Sequence, residues 1–78
     1  MSKTVNELAA ELRKRIKMHR GAMKQLVKMV GKTQGTVHNH LTREDFSENI
    51  RMPTLLAAKK LVDRLDAELE EKKAALAS

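Results

Sequence analysis

The sequence predicts an all-α fold, a bundle of about four helices that ends in a long C-terminal helix. Three observations carry this expectation. Apolar residues recur at three- and four-residue intervals through four separate segments, which is the spacing of one helix face. No stretch alternates apolar and polar residues as a half-buried strand would. Gly21, Gly31 and Pro53 punctuate the segments, and the recognisable connections between them are short.

The first segment is Val5–His19. Thr4, with Glu7 three residues later, fits a capping box. Val5, Leu8, Ala9, Leu12 and Ile16 form one apolar stripe, and Arg13, Lys14, Arg15 and Lys17 fall mostly off it. Gly21 is the expected stop. The second segment is Ala22–Val30, with Met23, Leu26, Val27 and Val30 on one face and Met29 at its border. Gly31 ends it in a tight turn, because glycine takes positive φ at little cost. The third segment runs from Thr33 to Leu41, and Thr33 can cap it. Val37 and Leu41, four apart, share its buried face, while Gln34, His38 and Asn39 point mostly away.

Residues 42–53 are expected to form a polar loop with room for one short helical turn, with Phe46, Ile50 and Met52 as anchors and Asp45 and Glu48 as solubilising or capping groups. Pro53 then suits the first turn of the last helix, Thr54–Leu76. In that helix Leu55, Val62, Leu69 and Leu76 repeat every seventh residue. Ala58 and Leu65 fill the intervening apolar positions, and Lys72 breaks that second row. This is the period of a helix–helix seam. The chain divides accordingly into an N-terminal helical region, 1–53, and a C-terminal helix, 54–78, that serves the core and dimerisation.

Composition narrows the classes. A chain of 78 residues builds one small core. Domains of this size usually need a disulfide, a metal or a partner chain. With no cysteine, a disulfide and a cysteine-based zinc site are excluded, so a second chain is the expected support. Leu65, Leu69 and Leu76 lie beyond what three short helices can cover, and they are the expected homodimer contacts. The absence of cysteine suits a reducing compartment. No apolar run is long enough for a membrane span. The start, Met1-Ser2-Lys3-Thr4, leads into no apolar signal core. A cytoplasmic location is expected, without membrane contact. Phe46 is the one aromatic residue, which argues against binding single strands by stacking bases. The net charge of +6 is uneven: residues 1–43 hold ten Lys/Arg against two Glu, and residues 44–78 hold six against eight Asp/Glu. The first half could meet a polyanion.

The most informative stretch is Ala22–Leu41, where an apolar helix, a glycine turn and a second helix form a compact corner. Leu26, Val27 and Val30 would pack on Val37 and Leu41. The second helix then presents its outer face, and an α-helix fits the DNA major groove. Through Leu26, Gly31, Thr36, Val37 and Leu41 the stretch resembles the helix-turn-helix of bacterial and phage repressors, lambda-repressor-like or lac-repressor-like. Four positions depart from that pattern. Val27 stands where alanine is usual, Met23 where a phosphate-binding glutamine is frequent, Lys32 where an apolar residue follows the glycine, and His40 at an often apolar position.

The resemblance implies a small helix-turn-helix bundle that binds double-stranded DNA by sequence, as a transcriptional regulator or repressor acting as a homodimer. It implies base-reading positions at Thr33, Gln34, Gly35, His38 and Asn39. The amides of Gln34 and Asn39 suit bidentate pairing with adenine. Lys24, Gln25, Lys28, Lys32 and Arg43 are the phosphate-contact candidates, with Arg20 a weaker one; such contacts supply affinity more than sequence choice.

Other classes find less support. His38 and His40 are two apart, about 200° round a helix, which spoils shared metal coordination. No Ser, Cys or carboxylate pair has the spacing of a nucleophile or an acid–base couple. No enzyme activity, cofactor or small-molecule substrate is therefore expected. The basic first helix carries Glu7 and Glu11 and no large aromatic, which disfavours a membrane surface. Two rival classes remain: a helical adaptor that recruits a different protein through Leu55–Leu76, and an RNA-binding module that uses the basic half.

Overall fold

The computed structural model describes residues 4–77. Four helices follow in order: α1 (Val5–Lys17), α2 (Ala22–Val30), α3 (Gln34–Thr42) and α4 (Glu48–Ala77). There is no strand among the described residues. The fold is the all-α bundle with a long last helix that the periodicity predicts.

α1 starts where expected, with the Glu7 N–H donating to Thr4 Oγ1 at 3.2 Å. It ends at Lys17, two residues before the expected His19. The N–H groups of Met18 and His19 bond back three residues, to the carbonyls of Arg15 and Ile16, which tightens and closes the last turn. α3 also shifts slightly. Thr33 stands outside it as the cap, accepting from the Thr36 N–H at 3.3 Å, and the helix continues to Thr42.

Gly21 (φ 79°) and Gly31 (φ 73°) take left-handed backbone at the two ends of α2. The Gly31 N–H bonds to the Val27 carbonyl at 2.9 Å and closes the helix. A Cβ at Gly31 would meet nothing within 4 Å, so replacing it costs only backbone strain. Gly31→Ala is expected to lose about 1–2 kcal/mol in urea denaturation, and Gly31→Asn less, because asparagine tolerates this conformation. An alanine variant as stable as the parent would show that the turn has another backbone path.

The largest departure from expectation lies in 42–53. The loop covers only 43–47. α4 begins at Glu48, and Pro53 lies inside the helix rather than at its start. Ser47 makes the earlier start possible: its carbonyl accepts from the N–H groups of Ile50 (3.1 Å) and Arg51 (3.2 Å). Pro53 removes the helical donor for the Asn49 carbonyl, but Asn49 is exposed, and water can satisfy it. Ile50 and Met52 are exposed and do not anchor this segment; Phe46 is half-buried, and the buried residue is Arg51, at 2% exposure.

All four helices contribute to one core. Ala9, Leu12 and Ile16 come from α1, Ala22 and Leu26 from α2, and Val37 and Leu41 from α3. α4 adds Leu55, Ala58, Leu61 and Val62. Burial of each leucine contributes about 2 kcal/mol. Leu26, Val37 and Leu41 are fully enclosed, which fixes the α2–α3 corner.

The seven-residue repeat of α4 therefore divides. Leu55 and Val62 belong to the core and Leu65 packs against its edge, whereas Leu69 and Leu76 are exposed. From residue 67 onward every described residue of α4 is exposed. A 30-residue helix is about 45 Å long, and its last turns project from the bundle.

α1 and α4 run side by side in the same direction, since Asn6 pairs with Arg51 while Arg15 pairs with Asp63 and Asp66 further along. Arg15 Nη2 reaches both carboxylates at 2.7 Å, and His19 Nε2 bonds to Asp66. Hydrogen bonds from His19 and Arg15 hold the Asp66 carboxyl below the usual range, and those from Lys59 and Arg15 do the same for Asp63.

Candidate nucleic-acid interface

The inner side of α3 is held by Val37, His40 and Leu41. Its C-terminal carbonyls, which have no helical donors, are met by two arginines. Arg13 Nη1 donates to the Leu41 carbonyl and Arg51 Nε to the His40 carbonyl, each at 2.8 Å. Both place positive charge at the negative end of the helix dipole. Arg51 also donates through Nη1 to Asn6 Oδ1 at 2.6 Å, so one buried guanidinium ties α1, α3 and α4 together.

His40 is only 4% exposed. Its Nδ1 shares a 2.7 Å hydrogen bond with Oγ1 of the fully buried Thr54. Phe46 packs edge-on against the imidazole, with ring centroids 5.7 Å apart. His40 and Leu41 thus both pack at this end of the helix. Burial pushes the His40 pKa below its ordinary 6.5, and the charges of Lys32 and Arg51 push the same way.

A depressed histidine pKa has a definite sign. Below pH 6.5 the unfolded chain takes up a proton that folded His40 resists. This part of the stability is complete above that pH and declines as the pH falls toward the depressed folded value. The urea midpoint is expected to drop on acidification below pH 6.5, well above the range where Asp63 and Asp66 protonate. His40→Gln should flatten that drop; an unchanged slope in this variant would assign it to another group.

The outer side of α3 follows from its 100° per residue. Gly35, Asn39 and Thr42 lie opposite the buried trio, with Gln34 and His38 along one flank. Gln34, Gly35 and His38 are exposed, as is Thr33 before the helix, while Asn39 is half-buried. His38 and Thr42 share a cleft with Arg13 and Lys17 of α1 and Met23 of α2.

The expected phosphate contacts separate into two groups. Lys24 and Lys28, one turn apart on α2, and Lys32 in the turn are exposed, as is Arg20. Gln25 and Arg43 have partners within the chain. Gln25 Oε1 accepts from Arg64 at 2.9 Å. Arg43 grips Asp45 with two bonds, of 3.0 and 2.7 Å, and lies over Phe46.

Sequence reasoning passed over Lys17, which the fold sets beside His38 and Thr42. Its position off the apolar stripe is visible in the sequence, but which helix it neighbours is not. Residues 12–43 contain nine Lys/Arg and no Asp or Glu. Arg13, Arg15 and Arg43 are occupied by the contacts above, and Lys14, Lys17, Arg20, Lys24, Lys28 and Lys32 remain exposed.

Among the described residues, no group of three or more His, Asp or Glu could hold a metal ion, and no helix is long and apolar enough to cross a membrane. The chain matches no protein-family model, no curated protein and no solved structure.

Proposed function

We propose that this protein binds double-stranded DNA by sequence, with α3 in the major groove, and acts as a homodimeric transcriptional regulator. The observation that carries the reading is the way α3 is mounted. Apolar contacts, the His40–Thr54 bond and two arginines fix it from behind. Its outer side offers Gln34, Gly35, His38, Asn39 and Thr42, none of them a large apolar residue, beside exposed lysines. A rigid polar helix with cationic flanks suits a major groove bounded by phosphates. Gln34 and Asn39 supply amides for base edges, and Lys24, Lys28 and Lys32 supply charge for the backbone.

Fluorescence anisotropy with labelled duplexes tests the reading. DNA is expected to bind more tightly than RNA of the same sequence at matched salt. Affinity should fall with salt at a log–log slope of about −0.9 per phosphate contact. Selection from a random duplex pool should return near-palindromic sites with half-sites about 34 Å apart. No duplex binding at low salt would remove the proposal, and a preference for RNA would favour the RNA-binding alternative.

A further inference from the structure

We propose that the groove between α1 and α4 is the docking surface for a second copy of this chain, with α1 of each copy lying over α4 of the other. The inference rests on the homodimer reading and locates its interface. Val5, Leu8 and Leu12 from α1 and Met52, Leu55 and Leu56 from α4 line the groove. Leu12 and Leu55 at its base belong to the core, while Leu8, Met52 and Leu56 keep 42%, 38% and 61% of their surface exposed. The core therefore continues outward into a contiguous apolar strip, unlike the scattered exposed side chains normal on a monomer. Covering it would give so small a domain the added burial it lacks.

Charge and direction point to a second copy as the occupant. α1 and α4 are parallel, so a two-fold axis along the groove sets α1 on α4 of the other copy at the same level. Apolar then meets apolar, with Leu8 over the Met52–Leu56 stretch. The rims match as well. Along the shared direction α1 presents Glu11 and then Arg15 at the groove, and α4 presents Lys59 there, with Asp63 one turn beyond, where it accepts from Lys59 and Arg15 of its own chain, each at 2.7 Å. Stacking brings Glu11 toward Lys59 of the partner subunit and Arg15 toward Asp63 of the partner subunit, with opposite charges at both levels. The Arg15–Asp63 pairing already exists within one chain at 2.7 Å, so the dimer repeats a contact the two helices make. An unrelated partner would have to reproduce this order of charges, and a second copy carries it already.

The C-terminal leucines are a poorer seam. Leu65 is engaged with its own core, and Lys72 falls between the exposed Leu69 and Leu76. Groove docking also leaves α3 uncovered, because Arg13, which reaches α3, lies about 200° round α1 from Glu11.

Sedimentation equilibrium of the full chain tests this, with far-UV circular dichroism to confirm folding. The wild type is expected at twice 8.8 kDa. Leu56→Lys should weaken dimerisation by at least about tenfold, as a charge in an apolar interface centre does. Changing both Leu69 and Leu76 to Lys should leave it within about threefold. Glu11→Lys and Lys59→Glu should each weaken it, and the double exchange should recover most of the loss. A wild type that stays monomeric overturns the proposal. So does a dimer that Leu56→Lys leaves intact, or one that only the C-terminal pair dissociates. Duplex binding is read separately. A groove-dependent dimer without DNA affinity supports this surface and removes the DNA reading; a monomer that binds duplex does the reverse.

Discussion

Replacing Arg51 with alanine is expected to cost about 3 kcal/mol or more, the largest loss from any single residue outside the apolar core. The guanidinium is almost wholly buried and donates to two acceptors on different helices, the His40 carbonyl and the Asn6 side chain. Alanine removes both bonds and strands a carbonyl at the buried end of α3. It also removes the aliphatic stem that packs beneath the charge. Arg51→Met, which keeps the stem, should recover only the packing part. Arg51→Lys should fall between, because an ammonium lacks the flat fork that spans both acceptors. Urea denaturation at neutral pH measures all three. An alanine variant within about 1 kcal/mol of the parent would mean that water replaces the guanidinium. The effect should reach the candidate interface: in Arg51→Lys, amide exchange in the last turn of α3 should accelerate before that of α2.

Changing Lys24, Lys28 and Lys32 together to glutamine is expected to weaken binding to every duplex by about a thousandfold at 50 mM salt. Each lost phosphate contact forfeits roughly tenfold between molar and 50 mM salt, and the slope against salt should become shallower by about 2.7. All three side chains are exposed, so the fold should be unaffected. Gln34→Ala and Asn39→Ala should behave differently. Each is expected to blur preference at one base position by about 1–3 kcal/mol and leave the salt slope unchanged. Lys60→Gln, at an exposed position of α4, serves as the charge control. If the amide and lysine variants lose affinity in the same way, the division between base-reading and phosphate contacts is wrong.

Much of the fold is legible in the sequence because the rules that set it act within one helical turn. Thr4 and Thr33 cap the N–H groups three residues ahead. Gly21 and Gly31 break the chain where left-handed backbone is needed. Leu26, Val37 and Leu41 reveal the corner by their spacing, and all three are enclosed. The outer face of α3 is legible for the same reason, since the residues opposite a buried stripe must face outward.

Local rules fail where a distant group changes the outcome. Pro53 marks a helix start by its own chemistry, yet Ser47 opens the helix earlier and Arg51 fastens that first turn to α1 and α3. His40 stands at an often apolar position with no partner visible nearby in the sequence, until Thr54, fourteen residues on, meets its imidazole. Arg43 and Gln25 resemble Lys24 and Lys28 as candidate contacts until Asp45 and Arg64 are found holding them.

What the sequence alone determined is the presence of four helices, the caps of α1 and α3, the glycine turns that bound α2, and the apolar residues that meet at the α2–α3 corner. What only the tertiary structure decided is which polar groups meet across the bundle, and where the apolar surface of α4 passes from core to exposed surface. The physical reason is range. Capping and periodicity depend on neighbours three or four residues away, whereas the partners of Arg51, His40 and Arg15 are brought into reach only when the four helices pack.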